Sequence, residues 1–219
     1  MLIQIPNILE KNIIQQINQG LLKSTWNQSS ASDNNFFFVD QASIESKYFS
    51  QQILQSIQNN PLFIGASLPN KVFNPLFVKH IEGQAHGVRV DNAIKQDHAT
   101  GFRIRSDLIG IIFLNDPDQY QGGELILEDN FGSQNIKLLA GDMILYPASC
   151  LNYLKAITKG QRITVSIAIE SMIRDNHQRS ILFDLDNSIR SIFKDNPKHE
   201  SVGQLSIIYN NLLRLWINS

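Results

Sequence analysis

Between Leu76 and Met172 the chain breaks into short apolar runs separated by turn residues, and this spacing limits the fold more than any other feature. The runs are Ile109 to Leu114, Glu124 to Glu128, Ile136 to Leu138, Met143 to Tyr146, Leu151 to Ile157 and Arg162 to Ile169. Turn signals fall between them at Asp116-Pro117, Gly122-Gly123, Phe131-Gly132, Ala140-Gly141-Asp142 and Lys159-Gly160. Runs of this length suit strands, because a helix needs a longer periodic stretch to bury one face. Many such strands in close succession predict a sandwich or jelly roll.

Helical periodicity flanks this region on both sides. After a short strand from Leu2 to Ile5, the apolar positions Ile8, Leu9, Ile13, Ile14, Ile17, Leu21 and Leu22 recur at close to the helical period. The polar stretch Ser24 to Asn35 reads as a loop. A second helix starts near Ser46, carries Phe49, Ile53, Leu54 and Ile57, and stops at Asn60-Pro61. Beyond the strands, Ile181, Leu182, Leu185, Ile189, Ile192 and Phe193 mark one helix. Leu205, Ile208, Leu212, Leu213 and Trp216 mark another, with a break at Asn196-Pro197. The predicted class is α+β: a strand and helices in 1–76 packed on the sheet, a jelly-roll core in 77–173, and a helical pair in 174–219. The last helix also carries Tyr209 and Leu215, more apolar surface than one sheet face covers. That predicts a homo-oligomer, most simply a two-fold dimer, through the C-terminal helices.

Composition narrows the partners. A formal charge of -1 over 219 residues gives no field to collect nucleic acid or an anionic membrane, so neither is expected. The one cysteine, Cys150, excludes an intramolecular disulfide and a thiol-rich metal site, and reads as a small buried hydrophobe. No apolar run approaches the roughly 20 residues of a membrane span. The start Met1-Leu2-Ile3-Gln4-Ile5-Pro6 lacks the basic opening of a signal peptide, which predicts a cytoplasmic chain.

Several stretches in one order carry a resemblance: Phe113-Leu114-Asn115-Asp116-Pro117, Tyr120-Gln121-Gly122-Gly123-Glu124-Leu125, Ala140-Gly141-Asp142-Met143-Ile144-Leu145-Tyr146-Pro147 and Ser171-Met172-Ile173-Arg174-Asp175. With Ile5-Pro6-Asn7 and Tyr209-Asn210-Asn211-Leu212-Leu213-Arg214 near the ends, nearly the whole chain resembles the PKHD-type (PiuC-like) hydroxylases of the 2-oxoglutarate/Fe(II) dioxygenase superfamily. The resemblance implies a double-stranded β-helix with flanking helices. It also implies a site in which His-x-Asp and a distal His hold iron, while an Arg ten residues after that His holds the far carboxylate of 2-oxoglutarate.

Carried over position by position, Asp91 and Arg162 match, whereas Arg89 and Asn152 stand where the family has its histidines. The segment Ser29 to Asn35 is also shorter than its family counterpart and lacks the glycine-rich and lysine-asparagine pattern found there. A guanidinium is always protonated and has no lone pair to give a metal. Held about 4 Å from a divalent ion at an effective dielectric of 20, its charge costs on the order of 8 kcal/mol in repulsion. Residues two apart on a strand share a face, so Arg89 and Asp91 should both point into the cavity. His86 is the candidate substitute metal ligand; five residues before Asp91, it needs a bulge at Gly87 to turn inward. His80, His98, His177 and His199 have less claim, from their places at a strand start, in a polar loop and on the C-terminal helices.

The expectation is therefore a protein without the conventional Fe(II) site and without a tightly bound cofactor. It would act as a non-catalytic binder of a small anionic molecule, such as a dicarboxylate, held by Arg162, Arg89 and Asn152. The alternative is an active 2-oxoglutarate-dependent oxygenase that uses Fe(II) at Asp91 with unconventional ligands. A third reading, resting on the family's link to iron, replaces these cofactors with haem on an axial histidine.

Overall fold

A computed structural model describes residues 1–29, 35–97, 99–129 and 132–217. His98 and most of the Ser29 to Asn35 segment lie outside the described residues. The molecule is organised around one long strand, Ile157–Ser171, which pairs antiparallel with Leu76–Ile81 on one side and Leu108–Phe113 on the other. The larger sheet runs outward from it through Met143–Pro147 to Ile3–Ile5 at one edge, and through Phe37–Val39 to Trp26–Gln28 at the other. A second sheet orders the strands Gly132–Ile136, Leu125–Asp129, Leu151–Leu154 and His86–Arg89.

Side chains on a strand alternate between its faces, and the central strand uses both. Ile163, Val165, Ile167 and Ile169 turn to one side, into a core shared with Ile17, Ile53 and Phe63 from the N-terminal helices. Arg162, Thr164 and Ser166 turn to the other, toward the second sheet. Deeper between the sheets the filling is apolar, with Phe113, Ile144 and Tyr146 packed against Leu125, Leu127 and Leu154. The result is the predicted jelly roll with helices on its outer face.

The helices are α1 (Lys11–Leu21), α2 (Ile44–Gln58), α3 (Pro61–Ser67), α4 (Asn176–Asp195) and α5 (Glu200–Trp216). Asn60-Pro61 ends α2 as expected, but it also starts α3. The Asn60 side chain accepts from the Phe63 amide at 2.9 Å, and Pro61 sits at the first helical position, where a missing N–H costs nothing. The polar stretch read as a loop contains the edge strand Trp26–Gln28, paired with Phe37–Val39. Its single large residue, Trp26, packs on the helix-side core.

The C-terminal pair is tied down by a buried arginine. Arg179 donates through Nη1 to the carbonyls of Ile173 at 2.6 Å and Arg174 at 2.9 Å, fixing α4 to the chain that enters it. Leu68, Ile173 and Leu182 form a small core there, with Tyr209, Leu212, Leu213 and Trp216 of α5 packed on it. Among the described residues no helix is long and apolar enough to cross a membrane.

Candidate functional site

A cavity of about 200 Å³ lies between the two sheets, lined by residues of both. Strand alternation decides what lines it. From the central strand come Arg162, Thr164 and Ser166; from its neighbour come Leu76, Val78 and His80; from the second sheet come His86, Arg89, Asn152 and Leu154.

Arg162 is 4% exposed, on the cavity wall. Its Nη1 donates to the Thr164 hydroxyl at 3.3 Å, and its guanidinium lies 5.1 Å from the Phe113 ring centre. The Nε makes no hydrogen bond, and the buried Tyr120 hydroxyl lies close enough to interact with the guanidinium without closing a well-formed hydrogen bond to it. Burial lowers the pKa of Arg162, although the guanidinium stays charged at any ordinary pH. A buried cation with donor capacity to spare is suited to a carboxylate.

Opposite it, Asn152 and Arg89 are direct partners across the antiparallel strands Leu151–Leu154 and His86–Arg89. Asp91 follows just beyond, with its own amide bonded to the Ala148 carbonyl at 3.1 Å. The Asp91 carboxylate accepts from the Tyr146 hydroxyl and the Asn152 amide, each at 3.2 Å. Tyr146 is fully inside the protein, and burial first, then the adjacent Asp91, raises its pKa well above the ordinary value. It remains a donor.

The ladder between these strands slips by one residue, so that Asn152 faces Arg89 while Leu154 faces His86. The extra residue lets His86 and Arg89, three apart, both reach the cavity. His86 is 9% exposed, with Nδ1 3.1 Å from the Gly87 carbonyl, and burial together with Arg89 lowers its pKa to about 4. His80, set aside in the sequence as the start of a strand, belongs to the same wall. Its Nδ1 is buried without a partner, and its pKa is driven to about 2 by burial and by Arg162. The two imidazole centres are 6.5 Å apart. The alternation Leu76, Val78, His80 was the signal that could have placed it. Cys150 is half-buried rather than buried, with its Sγ on the Glu128 carbonyl at 3.2 Å.

For a metal, this cavity offers Asp91 and two uncharged imidazoles. Arg89 and Asn152 supply no suitable donor, and no three His, Cys, Asp or Glu side chains converge among the described residues. The conventional iron triad does not fit these residues as they are arranged. Arg162 offers the donors of a buried guanidinium in the same cavity.

The fold is that of the 2-oxoglutarate oxygenases. A prolyl hydroxylase in complex with a hypoxia inducible factor oxygen degradation domain peptide fragment, from Trichoplax adhaerens, superimposes with a TM-score of 0.57 at 11% identity, over 82% of this chain and 86% of that one. HygX from Streptomyces hygroscopicus, solved with nickel, 2-oxoglutarate and hygromycin B, gives 0.54 at 10% identity over 78% and 82%. Residues 176–218 match the PKHD-type hydroxylase C-terminal domain. A PKHD-type hydroxylase of Methylobacillus flagellatus is 41% identical over 228 residues, covering all of both chains. This chain belongs to the PKHD-type hydroxylase family.

These findings overturn the expectation that no cofactor is held tightly. A full-length relative is named as a hydroxylase, and neighbours of this fold are solved with 2-oxoglutarate together with nickel or Fe3+. That expectation rested on two positions. Arg89 and Asn152 remove donors there, but they leave a carboxylate, two neutral imidazoles and a buried arginine in the same cavity.

Proposed function

We propose that this protein is a 2-oxoglutarate-dependent oxygenase of the PKHD family whose metal site departs from the usual ligand set. The observation that carries the reading is Arg162, a cation on the cavity wall with unused donor capacity, at the position where the family resemblance puts the co-substrate arginine. A cavity of about 200 Å³ is below the roughly 300–1,000 Å³ of pockets for drug-sized ligands. That size favours a small dicarboxylate over a macrocycle such as haem.

The residues divide the work. Arg162 pairs with the far carboxylate and sets the depth of the ligand. Asn152 and Tyr146 hold the Asp91 carboxylate in one orientation. Burial keeps His80 and His86 uncharged, so that each has a lone pair. Iron, when bound, supplies the oxygen chemistry of this class; Asp91 with His86 or His80 are the groups this chain has for holding it. No step through the metal follows from their present arrangement.

A second reading has its own support. Arg89 faces Asn152 beside Asp91, which suits a pocket that holds a small anion at both ends through Arg162 and Arg89 without turnover. One experiment separates the two. Purified protein is given Fe(II), ascorbate and 2-oxoglutarate, and succinate is followed in native protein, Arg162→Ala and Asp91→Ala. Iron-dependent succinate formation lost in both variants supports the oxygenase. A dicarboxylate-induced rise in Tm that needs Arg162, without succinate, supports the binder. Neither effect would overturn both readings.

A further inference from the structure

A recess of about 620 Å³ lies where α4 begins, walled by Arg105, Ser106 and Asp107 on one stretch of chain, by Ser149 on a second and by Arg174 and Arg179 on a third. It shares no lining residue with the cavity of Asp91 and Arg162. Two buried polar atoms of these walls have no hydrogen-bond partner among the described residues, the Ser106 hydroxyl and Nε of Arg179. Ser106 is 7% exposed and Arg179 1%. The Arg179 guanidinium meets only neutral acceptors, the carbonyls of Ile173 and Arg174 and the side-chain oxygen of Asn176 at 3.3 Å. It forms no ion pair among the described residues. A buried charge without a counter-ion is costly, and burial lowers the pKa of this one.

The block Ser171-Met172-Ile173-Arg174-Asp175 leads to the same place. The Ser171 hydroxyl donates to the Leu68 carbonyl at 3.2 Å, and the Met172 amide donates to the same carbonyl at 2.8 Å. Ile173 is fully buried, and Asp175 caps α4 by accepting from the Gln178 amide at 2.9 Å. Each of these four has a structural task. Arg174 is exposed, and its side chain has no hydrogen bond or ion pair among the described residues; it lines the recess.

We propose that this recess binds a phosphate group, free or carried on a small organic molecule. Arg174 and Arg179 supply the charge, and the hydroxyls of Ser106 and Ser149 supply further donors. Two carboxylates also line the recess, but both are committed. Asp107 accepts both bonds of Arg105, at 2.7 and 2.8 Å, and the Ser171 amide, while Asp175 is the helix cap. Arg105, Arg174 and Arg179 against Asp107 and Asp175 leave an excess of positive charge, and the start of α4 adds to it. Donors that reach in from three stretches of chain suit a tetrahedral oxyanion, whereas a planar carboxylate is met by a single guanidinium side-on. The inference is independent of the cavity and of whether the cavity turns over 2-oxoglutarate.

The test titrates inorganic phosphate and glycerol 3-phosphate separately into the full chain by calorimetry, with backbone amide shifts followed by NMR. Saturable binding of one or both at millimolar concentration or below is expected, with shifts at Ser106, Ser149 and Asn176. Binding of glycerol 3-phosphate alone would identify an organic phosphate as the occupant. Arg174→Gln should weaken binding about tenfold, and Ser106→Ala a few-fold, as loss of a bond to a charged group does. The Tm of the ligand-free protein should hold in both variants, because neither side chain makes a hydrogen bond there. Arg162→Met should keep the native affinity. The proposal is overturned if neither probe binds saturably, or if affinity survives Arg174→Gln and Ser106→Ala combined. Loss of binding in Arg162→Met overturns it too, by placing the anion in the cavity.

Discussion

Asn152 donates its side-chain amide to one oxygen of Asp91 at 3.2 Å, and the Tyr146 hydroxyl donates to the same oxygen at 3.2 Å. A single carboxylate is thus held from two strands of different sheets. Losing either donor, in Asn152→Ala or Tyr146→Phe, should cost about 1–2 kcal/mol in urea denaturation. Because the acceptor is shared, the double variant should depart from the sum by roughly 0.5 kcal/mol or more. Strictly additive losses would show that the two bonds do not act on one another.

Arg162 invites a test in which stability and binding move in opposite directions. Its charge is buried with an unpartnered Nε, and a buried cation without a full set of partners opposes folding until an anion arrives. Arg162→Met keeps the length of the side chain and removes the charge. The variant should unfold at higher urea, gaining about 1–2 kcal/mol, and should lose the stabilisation that dicarboxylates give the native protein. A variant that is less stable and still responds to dicarboxylates would remove Arg162 from the binding role.

The buried imidazoles make stability depend on pH. His80 and His86 have folded pKa values of about 2 and about 4, against 6.5 ordinarily. Below about pH 6.5 the unfolded chain takes up both protons while the folded chain refuses them. Falling pH therefore favours unfolding, and stability is complete only above that value. Each histidine should contribute about 1.4 kcal/mol of loss per pH unit within its window. Denaturation midpoints at pH 7 and pH 5 should differ accordingly, and His80→Phe should lose roughly half as much over the same interval. Equal losses in native and variant protein would assign the effect to other groups.

Gly123 makes room for the arginine. Its φ of +68° favours glycine, and a Cβ there would run into Ile157 Cδ1 and lie 3.1 Å from the Tyr120 ring and 3.4 Å from Arg162 Cδ. Gly123→Ala should cost on the order of 1–3 kcal/mol from backbone strain alone. It should also weaken dicarboxylate binding, read as a smaller thermal shift than an equally destabilising change in α1 produces.

What the sequence disclosed follows from how local each signal is. The strands of the core announce themselves by apolar runs between glycines, and the C-terminal helices by their period. The seven-residue α3 was hidden because Asn60-Pro61 marks an end and a beginning with the same two residues. Five-residue counting puts His86 on the outer face of a regular strand, and the bulge that turns it inward shows only in the pairing of Leu154 with His86 and Asn152 with Arg89. His80 was given less claim as the start of a strand, although its alternation with Leu76 and Val78 already set it on the wall that it shares with Arg162. The chemistry of positions 89 and 152 was legible at once, but it spoke for those two positions and not for the cavity as a whole.

The central strand separates two kinds of evolutionary freedom. Its odd positions from Ile163 to Ile169 hold the helices on the outer face, and its even positions from Arg162 to Ser166 form the wall that a ligand meets. Exchanges at the even positions can retune recognition while the packing beneath the helices stays intact. Inserting or deleting one residue would swap the two faces, driving an arginine into the oily side and isoleucines into the cavity. Such a strand can drift in chemistry but not in length.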